Sequence, residues 1–193
     1  MLNMSVFTFD KFNVVVGGKI NCYNKLNNCK IENSTINSSD VANSIINGGC
    51  EVDHAYMRGT IVGNNAKIGV FSRLRENSVI GNNVKIGNFV ETKNATIATG
   101  SKVPHLTYVG DAKIGKNVNV GCGTVFCNYN GKIKQQTIVG DNVFIGSNSN
   151  LVAPLKIENN AFVAAGSTIT NTVPSCALAI ARSRQINKLN YVK

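Results

Sequence analysis

Tryptophan is absent from this chain, proline occurs three times, and aromatic residues make up only 7%. Glycine and asparagine are abundant instead. Both tolerate the left-handed backbone that tight turns demand, so the balance suits many short strands joined by corners. Acidic residues are scarce, 10 Asp and Glu against 20 Lys and Arg, and the formal charge is +10. The lysines are scattered and no nucleic-acid motif accompanies them, which argues against a nucleic-acid partner. A solvated basic surface or an anionic small ligand remains. No apolar run has the length that spans a bilayer, so no membrane insertion is expected. The opening MLNMSVFTFD has no basic segment before its short apolar stretch and does not read as a secretory signal. The expectation is a soluble, cytoplasmic protein of one domain.

Paired cysteine motifs are also missing. Cys22, Cys29, Cys50, Cys122, Cys127 and Cys176 form no CxxC, and only His54 and His105 could join them around a metal. Disulfides and a zinc site are therefore not expected, and the thiols read as buried and inert.

What the chain has is a repeat. Val139, Ile145, Leu151, Ile157, Val163 and Ile169 stand six apart, as do Val62, Ile68, Leu74, Ile80 and Ile86. Ile97, Val103 and Val109, then Ile114 and Val120, lie between these runs. A small or β-branched residue often follows four places later, as at Ala66, Ser72, Ser78, Val84, Val118, Thr124, Val143, Ser149, Ala161 and Ser167. A helix needs apolar spacing near 3.6 and a lone strand needs two. A period of six fits neither. It fits a chain that turns a corner every six residues, with three short strands per coil and each coil burying the next. The fold expected is all-β: a parallel β-helix of hexapeptide repeats over residues 20–170.

The repeat loosens upstream, where Ile31, Ile36, Val41 and Ile46 are five apart. Residues 1–19 are expected to cap or edge-pair the open end. Residues 171–193 lose the repeat after Pro174 and read as a basic C-terminal tail. The period slips near Val90–Ile97 and Val109–Ile114, and fails across residues 127–138. An excursion loop is expected there, and insertions in such scaffolds tend to carry function.

Chemically distinctive residues gather near those breaks, and here the sequence resembles a family. HLTYVGDA, CNYNGKIK and ALAIAR are close to signatures of the acetyltransferase domain of the bifunctional glucosamine-1-phosphate N-acetyltransferase and N-acetylglucosamine-1-phosphate uridylyltransferase. The resemblance is dense from about Phe71 to Arg184. The family's glycine-rich nucleotidyltransferase loop is not matched by Gly17-Gly18-Lys19. The resemblance thus implies only the acetyl-transfer half: a left-handed β-helix, a homotrimer with shared active sites, acetyl-CoA as co-substrate and an amino-sugar phosphate as acceptor. It implies a place in UDP-N-acetylglucosamine and cell-wall synthesis.

The resemblance also implies roles. His105 is the general base, a task its intrinsic proton affinity suits near neutral pH. Arg75 and Lys93 hold the sugar phosphate. Tyr108 and Asn119 contact the sugar, and Glu91 orients the amine or the base. Lys134, on the loop, reaches a neighbouring subunit's site. On the acetyl-CoA side stand Asn128, Tyr129, Ser147, Ala165 and Arg182, with Cys122 where the family has alanine. No metal is required. The alternatives are an acetyltransferase for another amino-sugar phosphate or a nucleotide-linked amino sugar, and a non-catalytic β-helix used for assembly.

Overall fold

A computed structural model describes residues 7–9, 13–21 and 23–192. No helix occurs among them, and every strand pairing is parallel. The chain winds as a three-sided coil. One face carries strands such as Lys67–Ile68, Asn119–Val120 and Phe144–Ile145. The second carries Tyr56–Arg58, Arg73–Leu74, Val125–Cys127 and Asn150–Val152. The third carries Thr60–Val62, Ser78–Ile80, Thr137–Val139 and Leu155–Ile157. Two strands, Lys85–Ile97 and Lys102–Ile114, run unbroken around all three faces.

The hexad aliphatics form the core. Ile31, Ile36, Val41, Ile46, Leu74, Ile97, Ile145 and Leu151 are each at most 1% exposed. The residue four places on is buried as well, and where it is Ser or Thr its hydroxyl is hydrogen-bonded, in several cases within its own turn. Ser72 Oγ donates to the Gly69 carbonyl at 2.6 Å, and Ser149 Oγ to that of Gly146 at 2.7 Å. This is why a polar residue is tolerated at so tight a position.

Coil length is not constant. Leu26 pairs with Val41, fifteen residues on, whereas Val62 pairs with Ile80, eighteen on. The five-residue spacing upstream is therefore a shorter side of the same coil, not a departure from it. Strand pairing continues outside residues 20–170 at both ends. Val14–Val16 pairs in register with Lys30–Glu32. Beyond Ile169, Val173 is buried and bridges Ile157, and Leu178–Ala179 pairs with Phe162–Val163. A last, irregular coil thus occupies part of the stretch read as tail; residues 182–192 are exposed.

Most corners use left-handed backbone. One corner column runs Asn65, Asn83, Gly100, Asn117, Asn142 and Asn160; a second runs Asn28, Asn43, Gly59, Asn77, Asn94 and Asp111. Asparagine enters this region more easily than most residues, and its carboxamide bonds to the next coil. The third corner instead places Phe71, Phe89 and Leu106 at φ of 58°, 55° and 41°.

The excursion leaves the coil after the second face. Ile114 pairs with Val139, twenty-five residues later, yet the columns above continue undisturbed. The loop closes as a small hairpin. Tyr129 bridges Lys134 in antiparallel fashion, the Gln135 N–H donates to the Asn128 carbonyl at 2.8 Å, and Asn130 Oδ1 caps the turn by accepting from the N–H groups of Lys132 and Ile133.

Not all thiols are buried. Cys29 and Cys50 are, and burial raises their pKa; Cys122 and Cys176 are exposed, because both stand at or beside corners. Cys22 lies outside the described residues.

Candidate active site

Stacking turns distant residues into columns. Lys102 pairs with Asn119 and Tyr108 with Val125, so His105 lies directly below Cys122; the Gly123 N–H donates to the Leu106 carbonyl at 3.0 Å beside them. The same register carries Cys122 to Ser147 and Ser147 to Ala165. Four sequence-selected residues therefore climb one edge, between the first and second faces. Arg182 joins them. Its Cδ is the nearest atom, at 3.7 Å, to where a Cβ on Gly166 would sit.

The backbone beneath His105 is tightly held. A Cβ on Gly87 would lie 1.7 Å from the Pro104 carbonyl oxygen, so only glycine allows the two coils to meet there. Thr107 Oγ1 donates to the His105 carbonyl at 2.6 Å. The imidazole itself is exposed.

A second group stands on the second face, around the Leu106 corner from His105. Arg75, Lys93, Gly110 and Cys127 occupy successive coils of one column. Arg75 Nη1 meets Glu91 Oε1 at 3.0 Å, and this bond keeps the guanidinium proton more firmly bound than usual. Lys93 behaves in the opposite sense. The Lys134 ammonium beside it pushes its pKa below the usual lysine value, by direct contact and by charge; partial desolvation and Arg75 add to this, and Asp111 opposes it. The Lys93 and Lys134 ammonium groups repel each other, and an oxyanion ligand between them would relieve that repulsion.

Tyr108 folds across Gly110. A Cβ at Gly110 would lie 2.3 Å from Tyr108 Oη and 2.7 Å from Asn128 Nδ2, so glycine makes the space both side chains use. Asn128 is buried and donates to Tyr108 Oη at 3.3 Å and to Asp111 Oδ2. Asp111 also accepts from Asn94 Nδ2 at 2.6 Å. Asp111 was not among the residues singled out from sequence. The signal was available: it is the single carboxylate in a corner column otherwise made of asparagine and glycine.

The structure thus brings together Arg75, Glu91, Lys93, Tyr108, Asn128 and Lys134 on one side, and His105, Cys122, Ser147, Ala165 and Arg182 on the other. Tyr129 lies in the hairpin, its hydroxyl donating to the Gly131 carbonyl at 2.7 Å. Asn119 is not brought to either group. It faces outward on the first face, between Lys102 below and Phe144 above. His54 is tied to Asp53 Oδ1 at 2.6 Å and sits edge-on to Phe71. No cluster of three or more metal-ligating side chains occurs among the described residues, and no helix there is long and apolar enough to cross a membrane.

Residues 59–94 and 136–171 match the family described as bacterial transferase hexapeptide (six repeats). Over 156 residues, 81% of the chain, it is 61% identical to the bifunctional protein GlmU of Caldanaerobacter subterraneus subsp. tengcongensis. The chain belongs to the hexapeptide-repeat acyltransferases. Repeats of this class wind a left-handed β-helix, the hand expected from the family resemblance. A second relative, the bifunctional protein GlmU of Thermoanaerobacter pseudethanolicus, is 54% identical over 86% of the chain. The acyltransferase spans only about a third of such relatives, 34% of the first and 38% of the second. Among solved structures, PerB from Caulobacter crescentus, in complex with CoA and GDP-perosamine, is similar with a TM-score of 0.53. It is 17% identical, the match covers 59% of this chain and 54% of PerB, and the likeness is one of fold.

Proposed function

We propose that this acyltransferase moves the acetyl group of acetyl-CoA to the amine of glucosamine-1-phosphate, giving N-acetylglucosamine-1-phosphate for UDP-N-acetylglucosamine synthesis. The observation that carries the reading is the pairing of two groups on one strand. A cation cluster of Arg75, Lys93 and Lys134 stands beside Tyr108, and three residues away His105 begins an edge that climbs through Cys122, Ser147 and Ala165. A sugar phosphate bound at the first group presents its amine toward the second.

The chemistry follows from that placement. The neutral amine attacks the thioester carbonyl and the C–N bond forms. The imidazole of His105 takes the amine proton. The tetrahedral intermediate collapses, the C–S bond breaks, and the CoA sulfur leaves with the proton that the imidazolium returns. No side chain needs to carry the acetyl group, and no metal is called for. Acetyl-CoA extends from His105 along the edge, with its phosphates toward Arg182. Asn119 on the adjacent face fits a homotrimer, in which that face completes a neighbour's site.

The test follows CoA thiol release with acetyl-CoA and glucosamine-1-phosphate. Release is expected, and His105→Ala should lower it by about 10²- to 10⁴-fold without unfolding the coil. No release with any amino-sugar phosphate would sink the reading. Solution mass is expected to correspond to three chains; a fully active monomer would remove the shared site.

A further inference from the structure

Asp111 stands at the corner column one coil below the point where the excursion loop begins. The positions beneath it are Asn94, Asn77, Gly59, Asn43 and Asn28, all at positive φ. At the bottom of the column the bond is carboxamide to carboxamide: Asn28 Nδ2 donates to Asn43 Oδ1 at 2.9 Å. An asparagine has one acceptor and one donor end, so it passes the pattern upward. A carboxylate has two acceptor ends and ends it.

Asp111 uses both. Asn94 Nδ2 donates to Oδ1 from below and Asn128 Nδ2 donates to Oδ2 from above. With Asn128 held nitrogen-down, the same amide group also faces Tyr108 Oη. The phenol oxygen is then an acceptor, so its own proton is free to point outward. An asparagine at 111 that still accepted from Asn94 would turn its NH2 toward Asn128. Asn128 would flip, its oxygen would face Tyr108, and the phenol would donate inward.

From this we infer that Asp111 is a positioning residue, fixing the amide of Asn128 so that Tyr108 presents a hydrogen-bond donor to the acceptor sugar or its phosphate. The assignment rests on the proposed amino-sugar phosphate site. It explains why a carboxylate is kept beside a cation cluster whose ligand is itself an anion. It also links the loop to the acceptor side through a single polar chain, Asn94–Asp111–Asn128–Tyr108.

The experiment is a double-mutant cycle on the full chain, with wild type, Asp111→Asn, Tyr108→Phe and the double variant. Binding of glucosamine-1-phosphate is read by calorimetry, turnover by CoA release, and folding by thermal melting. Asp111→Asn should melt within a few degrees of wild type and weaken acceptor binding at least tenfold. In the Tyr108→Phe background the same change should cost less than threefold, because the proton it misdirects is gone. Full additivity, or wild-type affinity in Asp111→Asn, would overturn the assignment. A wild type that binds the sugar phosphate but transfers nothing sinks only the transferase reading. A wild type that binds no amino-sugar phosphate removes both.

Discussion

The cation cluster sets what single residues should do. Lys93 is held below the ordinary lysine pKa chiefly by Lys134, so its protonated form is costly in the folded protein until an anion arrives. Sulfate keeps its charge across the relevant range and should raise the melting temperature. That gain should be fullest below the lowered pKa of Lys93 and should fall as pH rises through it; Lys134→Ala should shrink it. Thermal shifts against pH, with and without sulfate, would show this, and a pH-independent gain would argue that sulfate sits elsewhere. Gly110→Ala places a methyl group where Tyr108 and Asn128 now lie. It should cost at least tenfold in acceptor affinity with a modest change in melting. Thr137 Oγ1 is buried without a hydrogen-bond partner. Thr137→Val should therefore be neutral or stabilising by about 1 kcal/mol, measured by urea unfolding. At this scale the sequence named most side chains but not their neighbours. Coil offsets of 17, 25 and 18 residues stack His105, Cys122, Ser147 and Ala165, and no fixed period reveals that.

Among the elements, the hexads were legible and their irregular relatives were less so. A period read from aliphatics passes over Phe126, which is fully buried in the position between Val120 and the loop. It also stops at Ile169, because the next inward residue, Val173, comes four places later, not six. The loop itself was legible as a failure of the period, since nothing inside Asn128–Gln136 has to face the core. Removing residues 129–135 would return the twenty-five-residue coil to eighteen, a length found both below and above it. That shortened chain should keep its strand signature by circular dichroism and melt within several degrees of wild type, while losing acetyl transfer. Collapse of the fold would mean the hairpin braces the coil. At the far end, Glu158 accepts from Lys156 Nζ at 2.8 Å and from the Ser175 N–H at 3.2 Å, and both lower its pKa. The contribution is present above the usual carboxylate range and is lost as pH falls through the lowered value.

The whole molecule is a one-dimensional stack, and its stability is distributed accordingly. Each coil leans only on the coils above and below, so damage in the middle affects two interfaces and damage at an end affects one. Leu74 is fully buried between neighbours on both sides. Leu74→Ala should cost about 2–5 kcal/mol in urea unfolding. Amide hydrogen exchange should be slowest in the continuous strands Lys85–Ile97 and Lys102–Ile114 and faster toward both ends. These two strands also carry Glu91, Lys93, His105 and Tyr108, so the proposed chemistry sits on the best-braced part of the stack.

The seven residues added to one coil leave every column above it in step. Chain length in the hairpin is thus invisible to the rest of the molecule. The coils answer to a fixed cross-section and tolerate few changes. The hairpin answers only to what binds beside it. Over many generations the two parts can change at different tempos, the binding segment being rewritten while the rod that displays it stays the same.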